Sequence, residues 1–353
     1  MNMVTNESVN WGLGETPALE GNPFVIARSS CHHAMKIAKD VTIDQKAMVR
    51  FLKQLDIEAV NRVAEGSMGE NCDTRQDDFH SGDAAANFAL TFCLLQFGHG
   101  YRYALHRHCQ RGASKTITMG VRSLNNDGPL DASRLRRLNH DDIRHAFQLP
   151  YVSELREFVN QLQAVVAQAG AVLGKLGLTD FASFCRYVSR LPAAENTPAA
   201  NFVQQLAYHF PAFNDRAILH DSTQVTLLKK ATLAVGELNR LAAKFHKGFD
   251  FSMDYDQAVA PVDNVVPAML VYHGVLRLSP QLYDVIHRQR APLFRGTCEA
   301  ELRAVALIAC EQIVAATGHV FSSLNLGYYL WLEGKKNGAR QFARHHTPDT
   351  VFY

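Results

Sequence analysis

What most constrains this chain is a series of long apolar stripes at helical spacing, with hardly any apolar/polar alternation between them. Leu155, Phe158, Leu162, Val165, Val166, Ala169, Val172 and Leu176 recur every few residues and stop near Gly177. Val225, Leu228, Val235, Leu238, Ala242 and Phe245 form a second stripe, with Asp221-Ser222 placed as its cap, and Leu302, Val305, Ala309, Ile313 and Ala316 form a third that ends at Gly318. Asp44 stands where a cap belongs for Ala47, Met48, Phe51, Leu52, Leu55 and Val60, and another helix is expected from about Gly82 to Phe97, broken by Gly98-His99-Gly100. Strand-like alternation is confined to Thr116–Met119 and the tail Thr350–Tyr353. The pattern predicts a mainly α, multi-helix globular fold with at most a small β element.

A chain of 353 residues, 47% hydrophobic and 20% charged, has ample material for one large core, and no linker composition interrupts it. Residues 1–22 are polar and punctuated by glycine and proline, so they read as a flexible tail, with order beginning near Phe24 and a single domain over residues 23–353. A formal net charge of +2 implies no general affinity for nucleic acid. There is no apolar run of the roughly 18–20 residues that a membrane span requires, and no signal-peptide layout at the N-terminus. A cytoplasmic protein without membrane association is expected. Seven cysteines, an odd number without a CxxC pair, read as reduced and packed thiols. The histidine-containing clusters Cys31-His32-His33, His106-Arg107-His108-Cys109 and His345-His346 lack the paired spacing of a zinc site, so no metal or other cofactor is expected.

The chemistry concentrates in Pro261-Val262-Asp263-Asn264-Val265-Val266-Pro267. Its prolines restrict the backbone, which mounts Asp263 rigidly ahead of an apolar helical run. Such a carboxylate either caps the following helix or performs chemistry, and local sequence leaves both readings open. The segment from Tyr101 to Lys115 is unusually basic, with Arg102, His106, Arg107, His108, Arg111 and Lys115. It reads as a solvated helix face in preference to a phosphate-facing surface, and Gly112-Ala113-Ser114-Lys115-Thr116 is discarded as a phosphate loop because it lacks the upstream glycine spacing.

Several pieces, taken in order, resemble the queuosine 5′-phosphate N-glycosylase/hydrolase family. They are Ala38-Lys39-Asp40-Val41-Thr42-Ile43-Asp44, Phe210-Pro211-Ala212-Phe213-Asn214-Asp215, Val225-Thr226-Leu227-Leu228-Lys229-Lys230-Ala231, Val262-Asp263 with Pro267, His273-Gly274-Val275-Leu276, Glu299-Ala300-Glu301-Leu302-Arg303 and Tyr328-Tyr329-Leu330-Trp331. The resemblance spans about residue 24 to the C-terminus. It implies a fold reminiscent of helical DNA glycosylases and hydrolysis of the N-glycosidic bond of queuosine 5′-monophosphate, with queuine released for reuse in transfer RNA modification. The partner implied is a small nucleoside 5′-monophosphate, without direct nucleic-acid binding.

The same resemblance makes Asp263 the catalytic carboxylate and puts Lys229 on a substrate-pocket helix. Only one of Lys229 and Lys230 can face that pocket, since neighbours on a helix lie about 100° apart. Asn264, Tyr329, Trp331 and Arg303 complete the candidate substrate-binding set. Each aromatic either stacks on the nucleotide or packs in the core, and Arg303, beside Glu299 and Glu301, reads more readily as a buried ion-pair partner. The family's usual Asp-Tyr-Arg and Pro-Gln give way here to Asn264, Val265 and Ala268, and its acidic residues flanking the Tyr328–Trp331 stretch to Gly327 and Leu332. These departures admit two alternatives, an N-glycosidase for a different modified nucleoside 5′-monophosphate or a non-catalytic nucleotide-binding protein.

Overall fold

The computed structural model describes residues 19–65, 79–192, 196–245 and 250–353. It is mainly α-helical, as the stripes predict. Helix Thr297–Ala316 runs through the centre, buried on nearly every face. A helix apolar all round belongs inside a core. Pro23–Ile37 packs along it, and Ser323–Glu333 closes against it farther on. A second group is built on Gly82–Leu94 packed against Lys229–Phe245, with Arg156–Lys175 supporting the shorter helices Ala132–Arg137 and His140–Ala146.

The β content is two antiparallel pairs of three-residue strands. Val41–Ile43 pairs with Leu276–Leu278, Val41 opposite Leu278, and Arg216–Ile218 pairs with Gln224–Thr226, Arg216 opposite Thr226. The second pair corrects one reading. Val225 lies in a strand, the helix starts at Lys229, and Asp221 organises the hairpin turn by accepting from the Thr223 backbone N–H and hydroxyl. A carboxylate two residues ahead of a free N–H serves a turn as readily as a helix.

Neither expected strand forms. Thr116–Met119 is part of helix Ala113–Asn126, which buries Ile117, Val121 and Leu124 on one face, while the hydroxyls of Thr116 and Thr118 donate to the carbonyls of Gly112 and Ser114 one turn back. That local bonding lets β-branched threonines sit in a helix. The tail 350–353 is irregular and buried. Asp44 does cap its helix, accepting from the Ala47 N–H, but the run divides into Gln45–Gln54 and Ile57–Glu65. The helix expected to reach Phe97 ends at Leu94 and is capped by Ser81. Of the expected tail, residues 1–18 lie outside the described residues. At residues 19–22 Leu19 is buried, its carbonyl accepts from Gln204 Nε2 at 2.6 Å, and Asn22 caps helix Pro23–Ile37. None of the described helices is long and apolar enough to cross a membrane.

Candidate active site

The residues from Ala258 to Val262 are buried yet belong to no helix or sheet, so their backbone polar groups need other partners. Arg303 supplies one, donating from Nε to the Val262 carbonyl at 3.0 Å. Its guanidinium also grips both oxygens of Asp215 and reaches Glu299 Oε1 at 3.2 Å, and its Cζ lies 3.7 Å from the centroid of the Tyr353 ring. Tyr353 in turn donates its hydroxyl to Glu299 Oε1 at 2.5 Å. Arg303 is therefore an internal ion-pair partner that holds the residue before Asp263, not part of a ligand-facing wall. At Gly327 a Cβ would come 2.7 Å from Pro261 Cδ, so the bare glycine lets helix Ser323–Glu333 press on the same segment.

Asp263 follows at 9% exposure. Its Oδ1 accepts from the N–H groups of Val265 and Val266 at 2.6 and 3.3 Å, at the start of helix Val265–Tyr272. The cap reading is thus realised. It does not exhaust the residue, because Asp263 also lines a cavity of about 400 Å³. Lys229, Asn264 and Trp331 line the same cavity, and Asp263 is its only side-chain carboxylate among the described residues.

The two lysines are both buried, which overturns the solvated alternative. Lys229 faces the cavity and donates to the Gln96 carbonyl at 2.9 Å. Lys230 points into the core, donating to the carbonyls of Leu94 and Val351 at 2.6 Å. Burial lowers the pKa of Lys229, and Asp263 is close enough to oppose that shift. Asn264 donates from Nδ2 to the His345 carbonyl at 3.0 Å, tying the loop to the buried tail. Trp331 carries the Lys335 ammonium 4.0 Å from its ring centroid.

Tyr329 does not join them. Two helical residues from Trp331, it is turned about 200° away and faces the side of Asp56 and Glu333. Burial, aided by those two carboxylates, raises its phenol to about 12.

Sequence reasoning placed the basic segment on a solvated face; Arg107 does lie there, paired with Glu154, whereas Arg102, His106, Arg111 and Lys115 line the cavity. Arg102 and His106 belong to helix Arg102–Cys109, which meets the stretch 334–353 through the edge contact of Tyr103 with His346, a pairing no local pattern encodes. His99, Arg340, Arg344 and Tyr353 in the lining were also missed. Gly98 was the one available signal for His99. It adopts φ +103°, and a Cβ there would come 2.4 Å from Phe158, so only glycine permits this turn. His99 Nε2 accepts from the Thr347 N–H at 3.1 Å, which leaves Nδ1 to donate to the Tyr353 main-chain oxygen at 3.0 Å. Its ring stacks on Tyr353 with centroids 4.5 Å apart. Burial lowers its pKa to about 3, with Arg303 and Lys229 adding repulsion, so it stays neutral near pH 7.

Among the described residues no group of three or more His, Cys, Asp or Glu side chains converges on a metal position. The site combines one fixed carboxylate, a flat indole, a buried amine and a cationic mouth. That arrangement suits a ligand with a ring, a polar centre that develops positive charge and an anionic end.

The family described as queuosine salvage protein has a sequence model that matches residues 90–353. A protein of Sphaerobacter thermophilus named queuosine 5′-phosphate N-glycosylase/hydrolase is 27% identical over 241 residues, covering 66% of this chain and 69% of that relative. One of the same name from Dictyostelium discoideum is 23% identical over 345 residues, covering 94% of this chain and 100% of the relative.

Proposed function

The chain belongs to the queuosine salvage protein family, and from that premise we propose that it hydrolyses the N-glycosidic bond of queuosine 5′-monophosphate, releasing queuine for salvage, with Asp263 as the catalytic carboxylate. The observation that carries the reading is Asp263 itself, the one side-chain carboxylate lining the cavity among the described residues. Hydrolysis exchanges the C1′–N bond for a C1′–O bond. The bonding pair leaves with the base, a water lone pair makes the new bond, and one proton passes overall from water to the base. Positive charge builds on the ribose in the transition state, and a carboxylate held by two backbone N–H groups is a preorganised counter-charge for it. Position 7 of a 7-deazapurine is carbon, so protonation there cannot assist departure, and more of the barrier falls to stabilisation at the sugar.

In this reading Lys229 and Asn264 supply polar contacts to the nucleotide and Trp331 stacks on it, while Arg303 positions the loop from behind. Residues 23–353 act as one helical unit with a small nucleotide as partner and the cytoplasm as location.

The test is chromatographic detection of free queuine after mixing the protein with queuosine 5′-monophosphate, beside queuosine, common nucleoside monophosphates and the Asp263→Ala variant. Release from the monophosphate that depends on Asp263 is expected. Release of base only from another nucleotide would replace the substrate, and tight binding without release would mark a non-catalytic member.

A further inference from the structure

Among the described residues the cavity wall carries seven arginine and lysine residues against one side-chain carboxylate. These cations are not equivalent. Arg111 is committed to the protein, donating to Thr116 Oγ1 and to the carbonyls of Phe147 and Gln148. Lys229 is held by the Gln96 carbonyl, and Lys335 lies over Trp331. Arg102 and Arg340 differ. Among the described residues neither side chain has a hydrogen bond or ion pair within the protein, nor has that of the exposed Lys115. Arg344 donates from Nη2 to the Gly334 carbonyl, yet its buried Nε has no partner.

These three guanidinium groups come from two parts of the chain, helix Arg102–Cys109 and the excursion 334–344, and gather on one wall. They are near enough to repel. Burial lowers Arg344 to about 10, with Arg102 adding to the shift, Asp263 opposing it and Arg340 adding further; burial and then Arg340 lower Arg102. Like charges that outnumber the one side-chain carboxylate near them, Asp263, repel one another and are favourable around a dianion, whose oxygens match the guanidinium fork. Gly334 helps to make the arrangement possible, because a Cβ there would stand 3.1 Å from Arg344 Nη2.

We propose that Arg102, Arg340 and Arg344 form one anion subsite that takes the phosphoryl group of the nucleotide, and that this subsite, not Lys229, sets the preference for a phosphorylated over an unphosphorylated substrate. The inference rests on the nucleotide-hydrolase reading above. Anchoring the phosphoryl group at the mouth supplies binding energy that holds the glycosidic bond against Asp263.

Two measurements on the full chain test it. The first is calorimetric binding of inorganic phosphate, which needs no turnover; the second is the ratio of kcat/KM for queuosine 5′-monophosphate to that for queuosine. Each of Arg102→Gln, Arg340→Gln and Arg344→Gln is expected to weaken phosphate binding about tenfold and to lower the ratio about tenfold, chiefly through KM for the monophosphate. Arg340→Lys recovers part of both, and Lys229→Gln leaves the ratio near that of the unaltered protein. Arg340 is exposed, so its variants fold whatever the other two do. Arginine-dependent phosphate binding without queuine release would defeat the hydrolase reading and keep the subsite. Queuine release with a monophosphate preference indifferent to all three arginines, or phosphate binding unchanged in all three variants, would overturn the subsite and keep the hydrolase.

Discussion

Two arginine environments lie on either side of the Asp263 loop, and they use the same side chain in opposite ways. Behind the loop, Arg303 is 1% exposed and meets Asp215, Glu299 and the Val262 carbonyl. Burial by itself would lower its pKa, but Asp215 and Glu299 more than reverse this and the net shift is upward. In front, Arg344 keeps an orphaned Nε and shifts down to about 10 through burial and neighbouring arginines. A cation that finds its counter-charges within the chain builds the fold; cations gathered without them are poised for a counter-charge from outside. Arg303 is also the more buried, but what sets the direction of the shift is partnership.

The contrast breaks most directly at Arg303. Arg303→Met leaves Asp215 and Glu299 buried without their cation, and we expect a loss of about 3–5 kcal/mol in urea unfolding. Arg344→Gln should change stability by less than about 1 kcal/mol, because it removes repulsion together with one hydrogen bond. Equal losses would erase the distinction between the two sides.

Asp263→Asn tests whether the loop serves chemistry or only architecture. The amide oxygen can still accept from Val265 and Val266, so the helix start survives, while the negative charge proposed to face the sugar is gone. Queuine release should fall by about 10³-fold or more with the thermal midpoint almost unchanged, as expected for loss of a preorganised electrostatic group. Full activity in a folded variant would return Asp263 to the role of a cap.

Gly334→Ala sharpens the front side. A Cβ would come 2.5 Å from Val265 Cγ1 and 3.1 Å from Arg344 Nη2, so both side chains must give way. Overpacking of this kind costs about 1–3 kcal/mol in unfolding, and displacement of Arg344 should lower the monophosphate preference severalfold. A stability loss without a change in preference would mean that Arg344 does not need its present place.

Much of this was legible locally. The stripes ending at Gly177 and Gly318 gave two of the longest helices, and the rigidity of the Pro261–Pro267 loop was written in its prolines. The ordered fragments that carry the resemblance include Asp263 and Lys229, two of the residues brought together at the cavity. What could not be read depended on long-range packing. The stretch 334–353 meets the basic helix through the Tyr103–His346 ring contact, and the bond from Thr347 N–H to His99, in the turn just before that helix, spans 248 residues. Lys230 looked like an exposed twin of Lys229, yet its ammonium lands on the Leu94 and Val351 carbonyls, and only the assembled core supplies those acceptors. Tyr329 and Trp331 were both candidates for stacking, and the helix rotation that divides them cannot be phased without its neighbours.

His99 gives the subtlest test, since it is a neutral ring set among cations. Its folded pKa of about 3 lies below the ordinary 6.5, so between those values the unfolded chain binds more protons than the folded one. Stability attributable to His99 is therefore complete above about pH 6.5 and declines as pH falls toward 3, by at most about 2 kcal/mol at pH 5 on 1.4 kcal/mol per unit. His99→Asn lacks this titration but weakens the bonds to Thr347 and Tyr353, so it should be the less stable protein at pH 7. The gap in urea midpoint should then narrow by pH 5, the contribution of His346 being common to both proteins, while His345, lowered by burial and then by His99, is released from part of its shift in the variant. A gap that stays constant from pH 7 to 5 would mean that His99 titrates as an ordinary imidazole, and that the stretch 347–353 does not clamp its neutral tautomer against the cationic mouth.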